Sequence, residues 1–170
     1  MVTDNQFSGK GRADRKWSAA PDKSLTFSLL LFPDLDPNLS GWFPIISGLS
    51  VQKALLNFDT DVRLKWPNDL ILDAKKVGGI LCESKVKGNK LEQVVIGIGL
   101  NVNETMDDFD GSLQSTATSL HMSTDKFYQR ERVLAEILNA LEPLFEGLPN
   151  NRDMIRTEWE SACEIGRAHV

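Results

Sequence analysis

Between Arg63 and Asn101 the chain sets out residues that could hold a small anion against a sheet. They are Lys65, the corner Trp66-Pro67-Asn68-Asp69, Lys76 beside Gly78-Gly79, and Gly97-x-Gly99-x-Asn101. Glycine inside a strand weakens it and marks a bulge or the close approach of a ligand to the backbone. One such break reads equally well as an ordinary turn of a buried meander. Three polar or glycine breaks converging on one sheet favour a small-molecule pocket, which needs a few placed polar groups in a concave site. A second group lies upstream. Asn5 to Trp17 carries four cations (Lys10, Arg12, Arg15, Lys16) and one acid, Asp14. Its Gly9-Lys10-Gly11-Arg12 offers backbone N–H groups and a guanidinium to an anion. A Walker loop is absent, and spacing alone favours a solvated surface loop. No Ser/His/Asp constellation is present, and His121, the only histidine outside the extreme tail, reads as structural.

The elements that must position these residues follow from periodicity and turn chemistry. Pro67 fixes its own φ and drives Trp66 extended, so KWPND is a strand end entering a turn. Leu70 to Leu72 resumes the strand, Asp73 to Lys75 turns it, and Val77 to Val86 forms the next, with a bulge or ligand approach at the glycine pair. Gly88-Asn89 is a hairpin turn, and Leu91 to Leu100 returns. Leu25 to Phe32 predicts a buried strand, and Val62 to Trp66 another. Leu39 to Phe58 predicts a helix with an apolar face at Leu49, Val51, Leu55 and Phe58, loosened by Pro44 and Gly48. An acidic loop, Glu104 to Asp110, leads to Thr116–Leu120. Thr124 to Glu146 predicts the longest helix, with Phe127, Leu134, Ile137, Leu138, Leu141, Leu144 and Phe145 at helical spacing and a stop at Gly147-Leu148-Pro149. Asn150 or Asn151 caps a last helix to about Ala162.

Composition bounds the function classes. One domain of 170 residues is long enough to bury a core. A net charge of −5 argues against general nucleic-acid binding. Two cysteines, Cys82 and Cys163, make neither a disulfide framework nor a metal site, and a reducing cytoplasm suits them. No apolar run approaches the ~20 residues that span a bilayer, so a membrane partner is not expected.

The order GKGRADRKW, LTFSLLL, KWPNDL, KVGGILCE, IGIGLNVN and TSL resembles the catalytic core of the biotin protein ligases, biotin–[acetyl-CoA-carboxylase] ligases, from about Thr3 to Cys163. The resemblance implies an α+β fold: a mixed, largely antiparallel central sheet flanked by helices, related to class II aminoacyl-tRNA synthetases. It implies that biotin and ATP, with Mg²⁺, give biotinyl-5′-adenylate, and that a lysine of a biotin carboxyl carrier protein then takes the biotin. It also admits a homodimer. Position by position, it puts Gln6 at the biotin site and Gly9, Lys10, Gly11 and Arg12 in the run that closes over biotin and adenylate, with Arg15 retained. Trp17 covers the adenine side, Asn68 and Asp69 lie near ATP and magnesium, Lys76 meets the reacting carboxylate, Gly79 lies beside the biotin ring, and Asn101 lies near the adenine. Gly97 completes the pocket floor. Lys10 and Ala13-Asp14 stand where the family commonly has arginine and Arg-Gly, and lysine lacks the planar fork of arginine. Lys76 and Arg12 are the expected catalytic cations, screening carboxylate from phosphate and stabilising developing charge.

The resemblance also implies pieces beyond this chain: a Ser/Thr-rich biotin-contacting segment before the basic loop and a small β-barrel after the core. The expectation is therefore a core over 1–163, incomplete at its N-terminus, without an N-terminal DNA-binding domain. Residues 164–170 resemble a translated sequencing adapter and are expected to be non-native. A lipoate or octanoate ligase of the same superfamily, a non-catalytic biotin- or nucleotide-binding fragment, and a generic phosphate-binding domain are the competing readings.

Overall fold

The computed structural model describes residues 1–13 and 15–163. Asp14 of the Ala13-Asp14 departure and the whole 164–170 tail lie outside the described residues. The strands are β1 (Val2–Thr3), β2 (Gly9–Lys10), β3 (Lys16–Trp17), β4 (Leu25–Leu31), β5 (Arg63–Lys65), β6 (Asp69–Leu72), β7 (Lys75–Lys87) and β8 (Lys90–Leu100). The helices are α1 (Phe43–Leu56), α2 (Leu120–Thr124), α3 (Arg130–Gly147) and α4 (Arg152–Ala162). Six strands form one sheet in the order β1-β4-β8-β7-β6-β5, every named pairing antiparallel, and β2 and β3 form a separate hairpin. Parallel contacts among the described residues are the isolated bridges Leu64–Cys163 and Lys76–Ala117.

Because side chains alternate along a strand, register sorts the sheet into two faces. Phe27, Ile98 and Ile80 lie in one row, and Leu29, Ile96 and Cys82 in the next. This face carries α1, on which α3 packs, and its residues join one core with Phe43, Ile46, Leu49, Leu55 and Ile137. Each of those five side chains is fully buried, a stabilisation of roughly 1.5–3 kcal/mol apiece. Cys82 packs against this core, and burial pushes its thiol up to about 12. The opposite face carries Thr26, Gly99, Gly79 and Asp69 in one row and Ser28, Gly97 and Leu81 in the next.

The helices depart from the sequence expectation in three places. The segment expected as one helix from Leu39 to Phe58 is a 3₁₀ turn, Pro37–Trp42, followed by α1. Pro44 sits in the first turn of α1, where its missing N–H has no intrahelical partner to lose. Gly48 does not loosen the helix either: it lies inside an unbroken α1, over the Leu64 methyls, where a Cβ would stand 3.4 Å away. The helix expected from Thr124 begins instead at Arg130, because Asp125 turns left-handed (φ 56°) and ends α2. Phe127, expected on the apolar face, is 78% exposed and stacks on His121 with ring centroids 4.2 Å apart. Asn151 holds the N-cap position of α4 without a side-chain capping bond.

Candidate functional site

A cavity of about 760 Å³ opens on the sheet face that the helices leave bare. Its floor is the glycine-rich register described above. Gly97 has no neighbour closer than 3.5 Å to an added Cβ, and Gly79 likewise. The protein's own packing would admit a side chain at both positions, so the bare backbone serves the cavity. Gly99 differs: a Cβ there would meet the Trp17 ring at 2.5 Å, so this glycine seats the indole. Gly9, across the hairpin from Trp17, would press a Cβ to 2.5 Å from Trp17 O and 2.7 Å from Gln6 Oε1.

Lys76 reaches the floor because of a bulge. Asp69 pairs with Gly79 and Leu70 with Gly78, but Ile71 pairs with Lys76, which leaves Val77 as an extra residue on β7. Strict alternation from Gly79 would aim Val77 at the cavity and Lys76 at the core. The bulge reverses both, as bulges re-aim side chains: Val77 is fully buried, and Lys76 Nζ lies on the cavity side, 3.6 Å from where a Gly79 Cβ would stand. Two backbone bonds fix this geometry, Lys76 N–H to Thr116 O (2.8 Å) and Thr118 N–H to Lys76 O (2.9 Å). Asp69 Oδ1 accepts from Lys76 Nζ at 2.5 Å. Asn68 is tied to the floor strand, its Nδ2 donating to Ile80 O (3.1 Å) and its carbonyl accepting from Ile80 N (2.9 Å). Asn68 therefore builds the corner, while Asp69 and Lys76 form its charged tip.

The basic stretch forms the roof. The β2–β3 hairpin is closed by Gly11 N–H to Arg15 O (2.7 Å) and Arg15 N–H to Arg12 O (3.2 Å), with Ala13 left-handed at φ 51°. Lys10, Gly11, Arg12, Arg15 and Trp17 line the cavity, and Gly9 lines a second hollow that shares Lys10, Gly11, Arg12 and Arg15 with it. The cations Lys10, Arg12, Arg15 and Lys16 are exposed, and no carboxylate among the described residues pairs with them. Arg130, on α3, clamps the hairpin's root: it donates to Ser24 O and to Asp4 Oδ1, each at 3.0 Å.

Asn101 stands at the inner corner, 4% exposed, with Nδ2 donating to Thr118 O at 2.9 Å and its backbone N–H to Val77 O at 2.8 Å. The structure thus lines one cavity with every expected site residue except Gly9, which lines the second hollow together with Lys10, Gly11 and Arg12. It also adds residues that sequence reasoning missed. Thr26 and Ser28 sit on the floor, and their i, i+2 polar spacing inside LTFSLLL was the available signal. Glu104, Phe109 and Leu113, from the stretch expected as a plain acidic loop and its continuation, line the inner end. Four cavity-lining residues present a buried polar atom without a hydrogen-bond partner: Gln6 Oε1, Trp17 Nε1, Thr26 Oγ1 and Glu104 Oε2. Buried polar atoms are ordinarily satisfied; these four are covered by the protein's own packing, Trp17 Nε1 over Gly99 and Gln6 Oε1 beside Gly9. The Glu104 carboxyl is raised above the usual carboxylate range by burial, against the opposing Ser24 hydrogen bond. Among the described residues no three His, Cys, Asp or Glu side chains group as a metal cluster, and no helix is long and apolar enough to cross a membrane.

A sequence profile of the "Biotin/lipoate A/B protein ligase family" matches residues 1–101. A bifunctional ligase/repressor BirA of Bacillus spizizenii is 33% identical over 98% of this chain and 52% of its own length. A biotin–[acetyl-CoA-carboxylase] ligase of Mycobacterium tuberculosis is 29% identical over 84% of this chain, again across 52% of its own length. The chain thus spans about half the length of these relatives. Among solved structures, the Aquifex aeolicus biotin protein ligase in complex with biotin and ATP superposes with a TM-score of 0.76 at 30% identity, covering 95% of this chain and 67% of that one. The Leishmania major enzyme shares the fold with the same TM-score, 0.76, at 23% identity over 99% of this chain and 73% of its own.

Proposed function

The chain belongs to the biotin/lipoate A/B protein ligase family, and we propose that residues 1–163 form the catalytic core of an ATP-dependent ligase that attaches biotin to a lysine of a biotin carboxyl carrier protein. The observation that carries this reading is the bulge that swings Lys76 onto a floor left bare by Gly79 and Gly97. A ureido ring can lie against such backbone, and the carboxylate at the end of biotin's alkyl chain meets an ammonium. Gln6, Thr26 and Trp17 line the same cavity.

In the first step a biotin carboxylate oxygen attacks the α-phosphorus of ATP, the Pα–O bond to the β-phosphate breaks, and pyrophosphate leaves. Two anions must come together, and Lys76 and the hairpin cations Arg12, Lys10 and Arg15 reduce their repulsion. Preorganised donors aimed at charge that develops in the transition state are worth about 2.7–4 kcal/mol each. Asp69 holds Lys76 in place through its 2.5 Å contact. Mg²⁺ commonly binds through one or two carboxylates plus substrate phosphates, and the cavity fits that pattern with Asp69 as the protein carboxylate beside Asn68. When bound, the ion neutralises charge on the pyrophosphate. In the second step the carrier's lysine amine attacks the acyl carbon, the bond to AMP breaks, and the amine loses its proton as the amide forms. The acceptor brings the nucleophile. The reading places the reaction in the cytoplasm, where ATP is at hand.

Calorimetric titration of the chain with biotin, lipoate and octanoate, each with and without a non-hydrolysable ATP analogue, tests the assignment. Saturable biotin binding that tightens with the nucleotide is expected. Preference for lipoate or octanoate would move the chain to the sister branch, and nucleotide binding without any acid preference would leave only a phosphate-binding domain.

A further inference from the structure

Lys76 owes its place on the cavity side to a bulge, and a bulge needs its displaced backbone groups bonded elsewhere. Both backbone groups of Lys76 go to one short strap outside the sheet, residues 116–118. Its N–H donates to Thr116 O (2.8 Å), and its carbonyl accepts from Thr118 N–H (2.9 Å). The isolated parallel bridge between Lys76 and Ala117 is the same contact. Val77 O accepts the Asn101 N–H at 2.8 Å, one step past the last β7–β8 pair, Gly78–Leu100. The side chain of Asn101 then closes a ring. Its Nδ2 donates to Thr118 O at 2.9 Å, and because a carbonyl can only accept, the amide must turn its nitrogen there. Lys76, Thr118, Asn101 and Val77 are thus joined in a cycle of three hydrogen bonds and one peptide bond. Val77, Asn101 and Thr118 are buried, so water does not readily replace a lost bond. On its other side the strap leads from the exposed residues 110–113, so its anchorage lies on the buried side, where Asn101 stands.

We infer that Asn101 is a positioning residue for Lys76: its side-chain amide locks the 116–118 strap, and the strap fixes the bulge that turns the ammonium to the cavity. This rests on the ligase reading, in which Lys76 meets the reacting carboxylate. Side-chain alternation shows why a lock is needed. Moving the extra residue by one position along β7 would exchange Lys76 and Val77 between the two faces of the sheet. The bonds that choose the register are those of Lys76 N–H, Lys76 O and Val77 O. Asn101 makes the last of these itself and supports the other two through Thr118. Burying an unpaired ammonium in the core is costly, so loss of the lock loosens the bulge rather than inverting it, and the ammonium is no longer held at one place.

Asn101→Leu tests this, because it keeps the side chain's shape and removes its donor while the backbone N–H to Val77 O stays. Asn101→Ser, too short to reach Thr118 O, takes its place if the leucine variant does not fold. Amide hydrogen exchange of the full chain without ligands reads the strap directly. The Lys76 and Thr118 N–H groups should exchange about ten-fold faster in the variant, the scale of one lost hydrogen bond, with Leu81 and Ile98 of the sheet unchanged. Adenylate formation at saturating biotin and ATP, a rate that sets ground-state binding aside, should fall about ten-fold as well. Added to Lys76→Ala, the same substitution should lower the residual rate little further, because a residue that acts through Lys76 has nothing left to position. Equal fold-losses with and without Lys76 overturn the inference. So does exchange at Lys76 and Thr118 no faster than in the wild type, or faster exchange shared by every amide of the sheet. A wild-type chain that forms no adenylate would contradict the ligase reading, and hydrogen exchange would then decide the hold on the bulge by itself.

Discussion

Lys76 is where sequence and chemistry meet most closely, and its role separates cleanly from folding. Its ion pair with Asp69 is partly exposed, at 39% and 29%, and pairs of that kind contribute little to stability. Lys76→Ala should therefore slow adenylate formation by about 10²- to 10³-fold and shift the melting temperature only slightly. A matched fall in melting temperature would make the lysine structural. The glycines divide just as sharply. Gly97→Ala finds room in the protein, with no neighbour within 3.5 Å, so the fold should hold while biotin binding weakens. Gly99→Ala drives a Cβ to 2.5 Å from the Trp17 ring, so it should unseat the hairpin even without ligand. Tryptophan fluorescence and biotin titration of the two variants separate these outcomes. The sequence pointed to both glycine pairs, but nothing in it distinguishes a glycine that seats a side chain from one kept bare for a ligand. That difference depends on which residue lies across the register.

At the level of elements, the cavity has a fixed floor and a roof held at its root. The hairpin turns through exposed cations whose charges no protein carboxylate among the described residues answers, and Arg130 anchors its base through Asp4 and Ser24. Trypsin cleavage after Lys10, Arg12 or Arg15 should slow when biotin and ATP together bring the counter-charge, since an anion orders such a segment. Arg130→Ala should speed cleavage in the free protein and reduce the protection by ligands. Cleavage at one rate with and without ligands would contradict a roof that closes on its substrate. Strands were readable here because alternation and turn residues are local signals. The bulge at Val77 was readable only as a possibility at Gly78-Gly79, since its position depends on pairing with β6. The start of α3 was misplaced because Asp125 can adopt left-handed φ at little cost, a choice that helical periodicity does not reveal. Thr26 and Ser28 escaped notice inside an otherwise apolar strand for the same reason: their face is set by partners far away in sequence.

Taken whole, the molecule packs its helices on one side of the sheet and opens its cavity on the other, where the buried Glu104 carboxyl lies, and its stability should record this. Glu104 is raised in the folded state, so between its unfolded and folded pKa values the native protein holds a proton that the unfolded chain has released. Its contribution therefore falls as pH rises through that window. Denaturant titrations from mildly acidic to neutral pH should show this decline, and Glu104→Gln should flatten it. A variant whose stability follows the wild-type curve would place the orphan carboxylate in a satisfied environment instead. The central claim, that one cavity brings a biotin carboxylate to the α-phosphate of ATP, meets its most direct test in pyrophosphate release by the purified chain. The account predicts release only when biotin, ATP and Mg²⁺ are all present, lost in Lys76→Ala and not restored by lipoate. Release from ATP that is indifferent to biotin would contradict it.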